Sequence, residues 1–219
     1  MTKNYNKIIK NKLFHNISEE NFSSMLNCLS SFERSYGKNE SIVNEGDPIN
    51  FVGAVLEGSV KITRTDYDGN MVILAEVSEG DIFAEVFACA QISKCPVSIV
   101  STTESRVLFF DYYKIITTCS ASCIFHQQLI ANMLNIVAQK SLYLNNRLNI
   151  ISKKSLRNKL LTYFQYASMG QARFTIPMNR EELAHFICAD RSALSNELSK
   201  MKKEGLLDYH KNTFTLYLH

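Results

Sequence analysis

NREELAHFICADRSALSNELSKMKKEG, residues 179–205, is the stretch on which the reading of this chain turns. Asn179 can cap a helix, and Glu182, three residues on, can return a bond to the cap's own N–H. That reciprocal pair fixes a helix over Arg180–Phe186. Ile187-Cys188-Ala189 makes a three-residue break. Asp190 then caps a second helix to about Glu204, with Leu194, Leu198 and Met201 facing inward and Gly205 ending it. Two helices joined by such a turn form a helix-turn-helix, whose second helix fits the major groove of DNA. Leu206–Tyr209 and Thr213–Leu218 read as two strands around the polar turn His210-Lys211-Asn212, which makes a wing.

The outward positions near the start of the second helix are Arg191, Ser192, Ser195 and Asn196. Arginine donates two bonds to guanine and asparagine bonds adenine's edge in both directions, so Arg191 and Asn196 are the base-reading candidates. Ser192 suits either base, while Ser195 and Lys200 suit phosphates. Arg180 is a further phosphate candidate. Lys202 and Lys203 are weaker ones, because lysines late in such a helix are commonly just solvated. The charge agrees: residues 151–219 hold 11 Lys/Arg against 6 Asp/Glu, net +5, and residues 1–150 hold 13 against 15, net −2. A compact basic piece joined to a mildly acidic one points to a polyanionic partner for the former.

Upstream, Arg173–Ile176 reads as a short strand stopped by Pro177, and Leu156–Ala167 as an amphipathic helix. Ser152-Lys153-Lys154-Ser155 is a polar break that reads as a hinge. Before it, a helical pattern runs from about Ile115 for some 35 residues. Ile130, Leu134, Val137, Ser141, Leu144, Leu148 and Ile151 recur at alternating spacings of 4 and 3, a coiled-coil seam. A second stripe, Leu129, Met133, Ile136 and Tyr143, lies beside it. One stripe is expected to pack on the N-terminal domain and the other on a partner helix, giving a homodimer.

The first half has a different grammar. Ser18 caps a short helix over residues 18–30, with Glu19 and Glu20 at its positive end and Phe22, Met25, Leu26 and Leu29 along one face. From Tyr36, short β-rich runs alternate with turns at Gly37, Gly46-Asp47-Pro48, Glu57-Gly58, Asp68-Gly69 and Gly80-Asp81. Phe51–Leu56, Val60–Arg64, Met71–Val77 and Pro96–Phe110 read as strand. Asp68-Gly69 predicts a tight hairpin with paired positive φ angles. Strands at this spacing predict an antiparallel barrel or jelly roll.

The 219 residues are 46% apolar, enough for two folded cores and too much for a disordered chain. No run approaches about 18 uninterrupted apolar residues, and Met1-Thr2-Lys3-Asn4 leads into no secretory region, so a cytoplasmic protein without a membrane partner is expected. Six cysteines (Cys28, Cys89, Cys95, Cys119, Cys123 and Cys188) are then most simply reduced thiols, and no pair forms a CxxC. Cys119-x3-Cys123-x2-His126 would share a helix face and is a weak candidate for a metal or redox site, but zinc normally takes a fourth ligand. No nucleophile, base and oxyanion donors assemble and no phosphate-cradling glycine loop occurs, so an enzyme is not expected.

Three segments, Asn179–Ala184, Asp190–Ser195 and Lys200–Leu206, together resemble the Crp/Fnr family of regulators, particularly its clostridial members. So do Tyr36-Gly37, Glu45-Gly46-Asp47, Leu56–Val60, Asp68-Gly69 and Gly80–Glu85, which are similar to the family's cyclic-nucleotide-binding-like sensor. The resemblance implies an α+β chain in three parts: a sensor β-barrel with its N-terminal helix (1–114), a long dimerisation helix (115–151) and a winged helix-turn-helix (152–219). It also implies a homodimer on palindromic double-stranded DNA, with RNA polymerase as a further partner, controlled by an unidentified small-molecule effector. The effector pocket falls by resemblance on Phe83, Glu85, Cys95, Leu142 and Tyr143. Cyclic AMP does not fit. Glu85 matches the family's acidic residue, but Ala84 replaces its usual glycine, and its phosphate-binding arginine falls near Cys95. The base-contacting pair falls near Leu142 and Tyr143. Lys94 is the only cation between Asp81 and Ser105. Cys188 stands where the family's turn usually has glycine, which predicts a turn strained by about 1 kcal/mol. The alternative reading is a thiol- or metal-based redox sensor using Cys119, Cys123 and His126; no cofactor is otherwise implied.

Overall fold

The computed structural model describes residues 5, 7–117 and 124–217, which fall into two compact units, Met1–Ala138 and Gln139–His219. In the first unit, two four-stranded antiparallel sheets face each other. One has the order β1 (Phe32–Tyr36), β8 (Ser105–Asp111), β3 (Phe51–Glu57), β6 (Ile82–Phe83). The other has the order β2 (Ser41–Val43), β7 (Ser98–Ser101), β4 (Ser59–Thr65), β5 (Met71–Ser78). This is the antiparallel jelly-roll architecture the strand and turn spacing predicts.

Side chains alternate across a strand, and β3 and β8 use both faces. Val55, Val107 and Phe109 point between the sheets, where they join Tyr36, Val60, Phe83, Cys95 and Ile99 in one core. Val52, Ala54, Leu56, Leu108 and Phe110 point the other way, onto Leu13, Phe14, Phe22, Met25 and Leu29 of the N-terminal segment, and onto Leu129, Met133 and Ile136. Those last three lie on α4 (Ile124–Ile151), so three of the four residues of the second stripe read from the sequence cover the sheet, while Tyr143 stands exposed. The N-terminal helix is α1 (Glu19–Cys28), with Ser18 as its cap. A 3-10 turn (Lys12–Phe14) precedes it and buries Leu13 and Phe14, which no periodicity announced.

Several details depart from the sequence reading. Strand structure begins at Phe32, four residues before Tyr36, because Phe32–Ser35 are exposed and show no alternation. Pro96–Phe110, read as strand, falls into β7 and β8 with residues 102–104 between them. The β4–β5 hairpin exists, but Asp68-Gly69 is not a two-residue turn: Thr65 pairs with Met71, and Gly69 alone has positive φ, +83°. Asp66 sets this longer loop, its carboxylate accepting from the Asp68 and Asn70 N–H groups at 2.9 and 2.8 Å. The helical run read from Ile115 is not continuous from there. Tyr112–Ile116 forms a separate short helix, α3, and Thr117 is extended at φ −102°, ψ 133°.

The second unit starts with the last turns of α4. Ile150 enters its core, with α5 (Leu156–Ser168), β9 (Arg173–Thr175), α6 (Arg180–Phe186), α7 (Arg191–Lys203), β10 (Leu207–His210) and β11 (Thr213–Leu216). The three strands pair antiparallel in the order β10-β11-β9. Leu160, Phe164, Leu183, Leu194, Leu198, Met201 and Phe214 are fully buried at the centre. Ser152–Ser155 ends α4 and starts α5, with the Ser155 hydroxyl accepting from the Asn158 N–H at 3.1 Å. On α4 the seam residues Leu134, Leu144 and Leu148 remain 66%, 54% and 59% exposed in the single chain.

Candidate nucleic-acid interface

The first helix of the motif starts as its residues dictate. The Asn179 carbonyl oxygen of the side chain accepts from the Glu181 and Glu182 N–H groups at 2.9 and 3.0 Å, and the Glu182 carboxylate accepts from the Asn179 N–H at 2.7 Å. Both halves of the capping box are present. Asp190 is the cap of α7 by position, at φ −70° and ψ 141°, but its side chain makes no capping bond. The turn between the helices passes through Cys188 at φ +52°, the left-handed conformation that a glycine would adopt without cost. Lys159 on α5 holds that turn by donating to the Ile187 and Cys188 carbonyls at 3.1 and 3.4 Å.

α7 buries Leu194, Leu198 and Met201, so its opposite face is turned to solvent. Arg191, Ser192, Ser195, Asn196 and Lys200 are all exposed. The Ser195 hydroxyl donates back to the Arg191 carbonyl at 3.0 Å, and Ser199 does the same to Ser195 at 2.9 Å. Two of the other candidates are occupied elsewhere. Lys202 pairs with Asp208 and lies 5.3 Å from the Tyr209 ring, so it is tied to the wing. Arg180 is half-buried: its guanidinium lies 4.8 and 4.9 Å from the centres of the Tyr209 and Phe214 rings and donates to the Lys211 carbonyl at 3.0 Å. Burial holds that guanidinium below its ordinary range.

The sequence reading missed the group that sets the position of α7. Arg157 on α5 donates through Nε to Glu197 at 2.7 Å and forks onto both oxygens of Glu204 at 2.7 and 2.9 Å. Planar two-point pairing of this kind fixes orientation as well as distance. The Glu204 carboxyl is held below its usual range by that pairing. Glu197 and Glu204 are seven residues apart and so share one face of α7, a signal that was available. Behind the motif, Arg147 on α4 donates to the Phe186 carbonyl at 3.3 Å and lies 5.4 Å from its ring centre.

Among the expected effector residues, Phe83 and Cys95 do meet in the inter-sheet core, each 1% exposed. A Cβ on Gly53 would lie 2.2 Å from the Phe83 ring, so that ring is seated directly on the β3 backbone. Glu85 is also buried and opens α2 (Glu85–Cys89), after Ala84 in the left-handed conformation at φ +67°. Lys94 is exposed. Leu142 and Tyr143 belong to the second unit, where Tyr143 lies 6.1 Å from Phe186, ring centre to ring centre. Burial pushes the Cys89 and Cys95 thiols up, away from the reactive thiolate. Cys119 and Cys123 lie outside the described residues; His126 is buried, with Nε2 at 3.9 Å from Cys28 Sγ.

Residues 33–122 match the model of the cyclic nucleotide-binding domain, and residues 156–217 match that of the Crp-like helix-turn-helix domain. The chain belongs to the Crp/Fnr family of transcription regulators. Its relatives include the CRP-like protein Clp of Xanthomonas euvesicatoria, 23% identical over 205 residues that cover 85% of this chain and 84% of Clp. The cAMP-activated global transcriptional regulator CRP of Pasteurella multocida is 20% identical over 191 residues, 83% of this chain and 88% of that one. The crystal structure of DNR from Pseudomonas aeruginosa has the same fold, with a TM-score of 0.52 at 17% identity, covering 100% of this chain and 96% of DNR. For a Crp/Fnr regulator the helix-turn-helix is the DNA-binding domain. No helix among the described residues is long and apolar enough to cross a membrane.

Proposed function

We propose that this regulator binds a palindromic duplex as a homodimer, with Arg191 and Asn196 reading base edges, Ser192 contacting either base, and Ser195 and Lys200 on phosphates. The observation that carries this is the solvent-facing start of α7, where a guanidinium and a carboxamide stand exposed on a helix whose other face is locked into the core. Arg180 then acts through the wing it braces, as a positioning residue. The homodimer reading draws on Leu134, Leu144 and Leu148, an apolar stripe on one face of α4 that the single chain leaves in water. RNA polymerase is the further partner where the regulator activates.

The effector is a small molecule other than cyclic AMP, bound in or near the barrel. A buried phosphate needs a cationic partner. At the matching place stands the buried Cys95, and the neighbouring Lys94 faces solvent. Selection from a library of randomised duplexes at low salt tests the central reading. It should enrich an inverted repeat with half-sites one helical turn apart, about 34–36 Å. Failure to enrich any sequence sinks it.

A further inference from the structure

Met71, Val72, Ile73 and Leu74 of β5 are 64%, 43%, 54% and 54% exposed, four large apolar side chains in succession. Neighbouring side chains on a strand point to opposite faces, so this end of the β4–β5 hairpin stands in water on both. β5 is the last strand of its sheet, bonded to β4 and to no further strand among the described residues. Ile62 pairs with Ala75 and Thr63 with Ile73, which leaves Leu74 as the extra residue of a bulge. Edge strands facing water are ordinarily blunted by lysine, proline or an inward charge. Residues 71–75 carry none of these, and the bulge bends the edge without covering its side chains. The tip is held by backbone as well as by the Asp66 carboxylate: the Asp66 N–H donates to the Asn70 carbonyl at 2.9 Å and the Gly69 N–H to the Asp66 carbonyl at 3.1 Å. The hairpin is therefore a preformed apolar arm that gives up little freedom on docking.

We propose that this arm packs against α4 of a second copy of the chain, as part of the dimer interface; the inference rests on the homodimer reading above. Area supports it. Each partner of a stable interface gives up about 800 Å², of which about 500 Å² is apolar in a homodimer. Against that requirement, the α4 seam supplies about 300–400 Å² through Leu134, Leu144, Leu148 and the half-buried Ile130, Val137 and Ile151. The β5 run adds about 400 Å² and closes the gap. Charge supports the same recipient. Residues 65–76 carry Asp66, Asp68 and Glu76 and no cation, while α4 carries Lys140 and Arg147 and no carboxylate. Opposite signs of this kind set partner and orientation more than they add affinity. A two-fold axis makes each such contact twice, so two arms flank one pair of helices.

Sedimentation equilibrium of the full-length chain tests this, with hydroxyl-radical footprinting as a second measurement. Ile73→Lys with Leu74→Lys alters side chains already half in water, so folding, checked by far-UV circular dichroism, should be spared. The dimer dissociation constant should rise by at least about 100-fold. In the native chain, Met71 should be oxidised less above that constant than below it. A dimer indifferent to the double change, or a Met71 oxidised equally in monomer and dimer, overturns the arm, leaves the α4 pairing standing and gives β5 to some other partner. A tetramer that the double change reduces to a dimer also overturns it, because the arm then joins dimers. A native chain that stays monomeric sinks the homodimer reading and the arm with it. Should the lysine variant not fold, footprinting of the native chain decides alone.

Discussion

Replacing Cys188 by glycine should stabilise the DNA-binding unit, and replacing it by alanine should not. Cys188 sits at φ +52° in the turn between α6 and α7, and its side chain is exposed. Holding a residue with a Cβ in the left-handed region costs about 1–2 kcal/mol. Glycine removes that cost but frees the unfolded chain, which takes back about 0.4–1 kcal/mol. The remainder is a gain of about 0.5 kcal/mol. Alanine keeps the Cβ and loses only an exposed sulfur, so it should stay within about 0.5 kcal/mol of the native chain. The turn itself survives either change, because its bonds are made by backbone: Ala189 N–H to the Ala184 carbonyl at 2.9 Å and Lys159 to the Ile187 and Cys188 carbonyls. Glycine should therefore exceed alanine by about 0.5–1 kcal/mol, whereas at an ordinary helical φ it would fall below alanine by a similar amount. Native-state hydrogen exchange of the α6 and α7 amides, in reducing buffer on the full chain, measures the difference locally. A glycine variant less stable than the alanine variant would refute the strain at this position.

Arg191→Ala should lower specific affinity by about 1–3 kcal/mol and relax one base preference, while Lys200→Ala should weaken all sequences alike and reduce the salt slope by about 1. Binding isotherms on operator and random duplex separate them; equal losses on both for Arg191→Ala contradict base reading. Leu144→Glu with Leu148→Glu places charges at positions already in water in the single chain, so folding should be spared and self-association lost. Sedimentation decides, and an unchanged dimer removes this stripe from the interface. Gly53→Ala drives a methyl into the Phe83 ring and should cost about 1–3 kcal/mol, read as a lower urea midpoint. The Glu204 and Asp208 carboxyls are held below their usual range by Arg157 and Lys202. Their contribution is complete above the ordinary carboxylate value near 4 and fades as pH falls through the lower folded value. Unfolding midpoints across acid pH should accordingly fall less steeply in Arg157→Gln than in the native chain.

What the sequence disclosed was whatever short-range chemistry controls. The capping box at Asn179 and Glu182 is a matter of four neighbouring residues, and both of its bonds form. The stripes of α4 separate only in part: Leu129, Met133 and Ile136 enter the core and Leu134, Leu144 and Leu148 face solvent, but Tyr143 of the second stripe is exposed and Ile130, Val137 and Ile151 of the seam are half-buried. Local pattern misled where a neighbour outcompeted it. Asp68-Gly69 has the composition of a tight turn, yet Asp66 collects the loop's N–H groups and lengthens it. Asp190 occupies a cap position without making the bond its residue type promises.

The rest depends on pairs that only the fold creates. An arginine at the start of a basic motif invites assignment to phosphate, and nothing near Arg180 in sequence argues otherwise. Its actual partners, Tyr209, Phe214 and the Lys211 carbonyl, come from the wing about thirty residues on. A guanidinium between two aromatic faces gives up part of its hydration for ring contact and a carbonyl bond. In the proposed interface the same distinction applies: a cation engaged by a close side-chain, ring or carbonyl partner sets the position of the reading helix, and a cation that stands exposed on it is left to meet the nucleic acid. Arg157, Arg180 and Lys202 are of the first kind. Arg191 and Lys200, exposed on α7, are of the second, which is why the affinity tests fall on them.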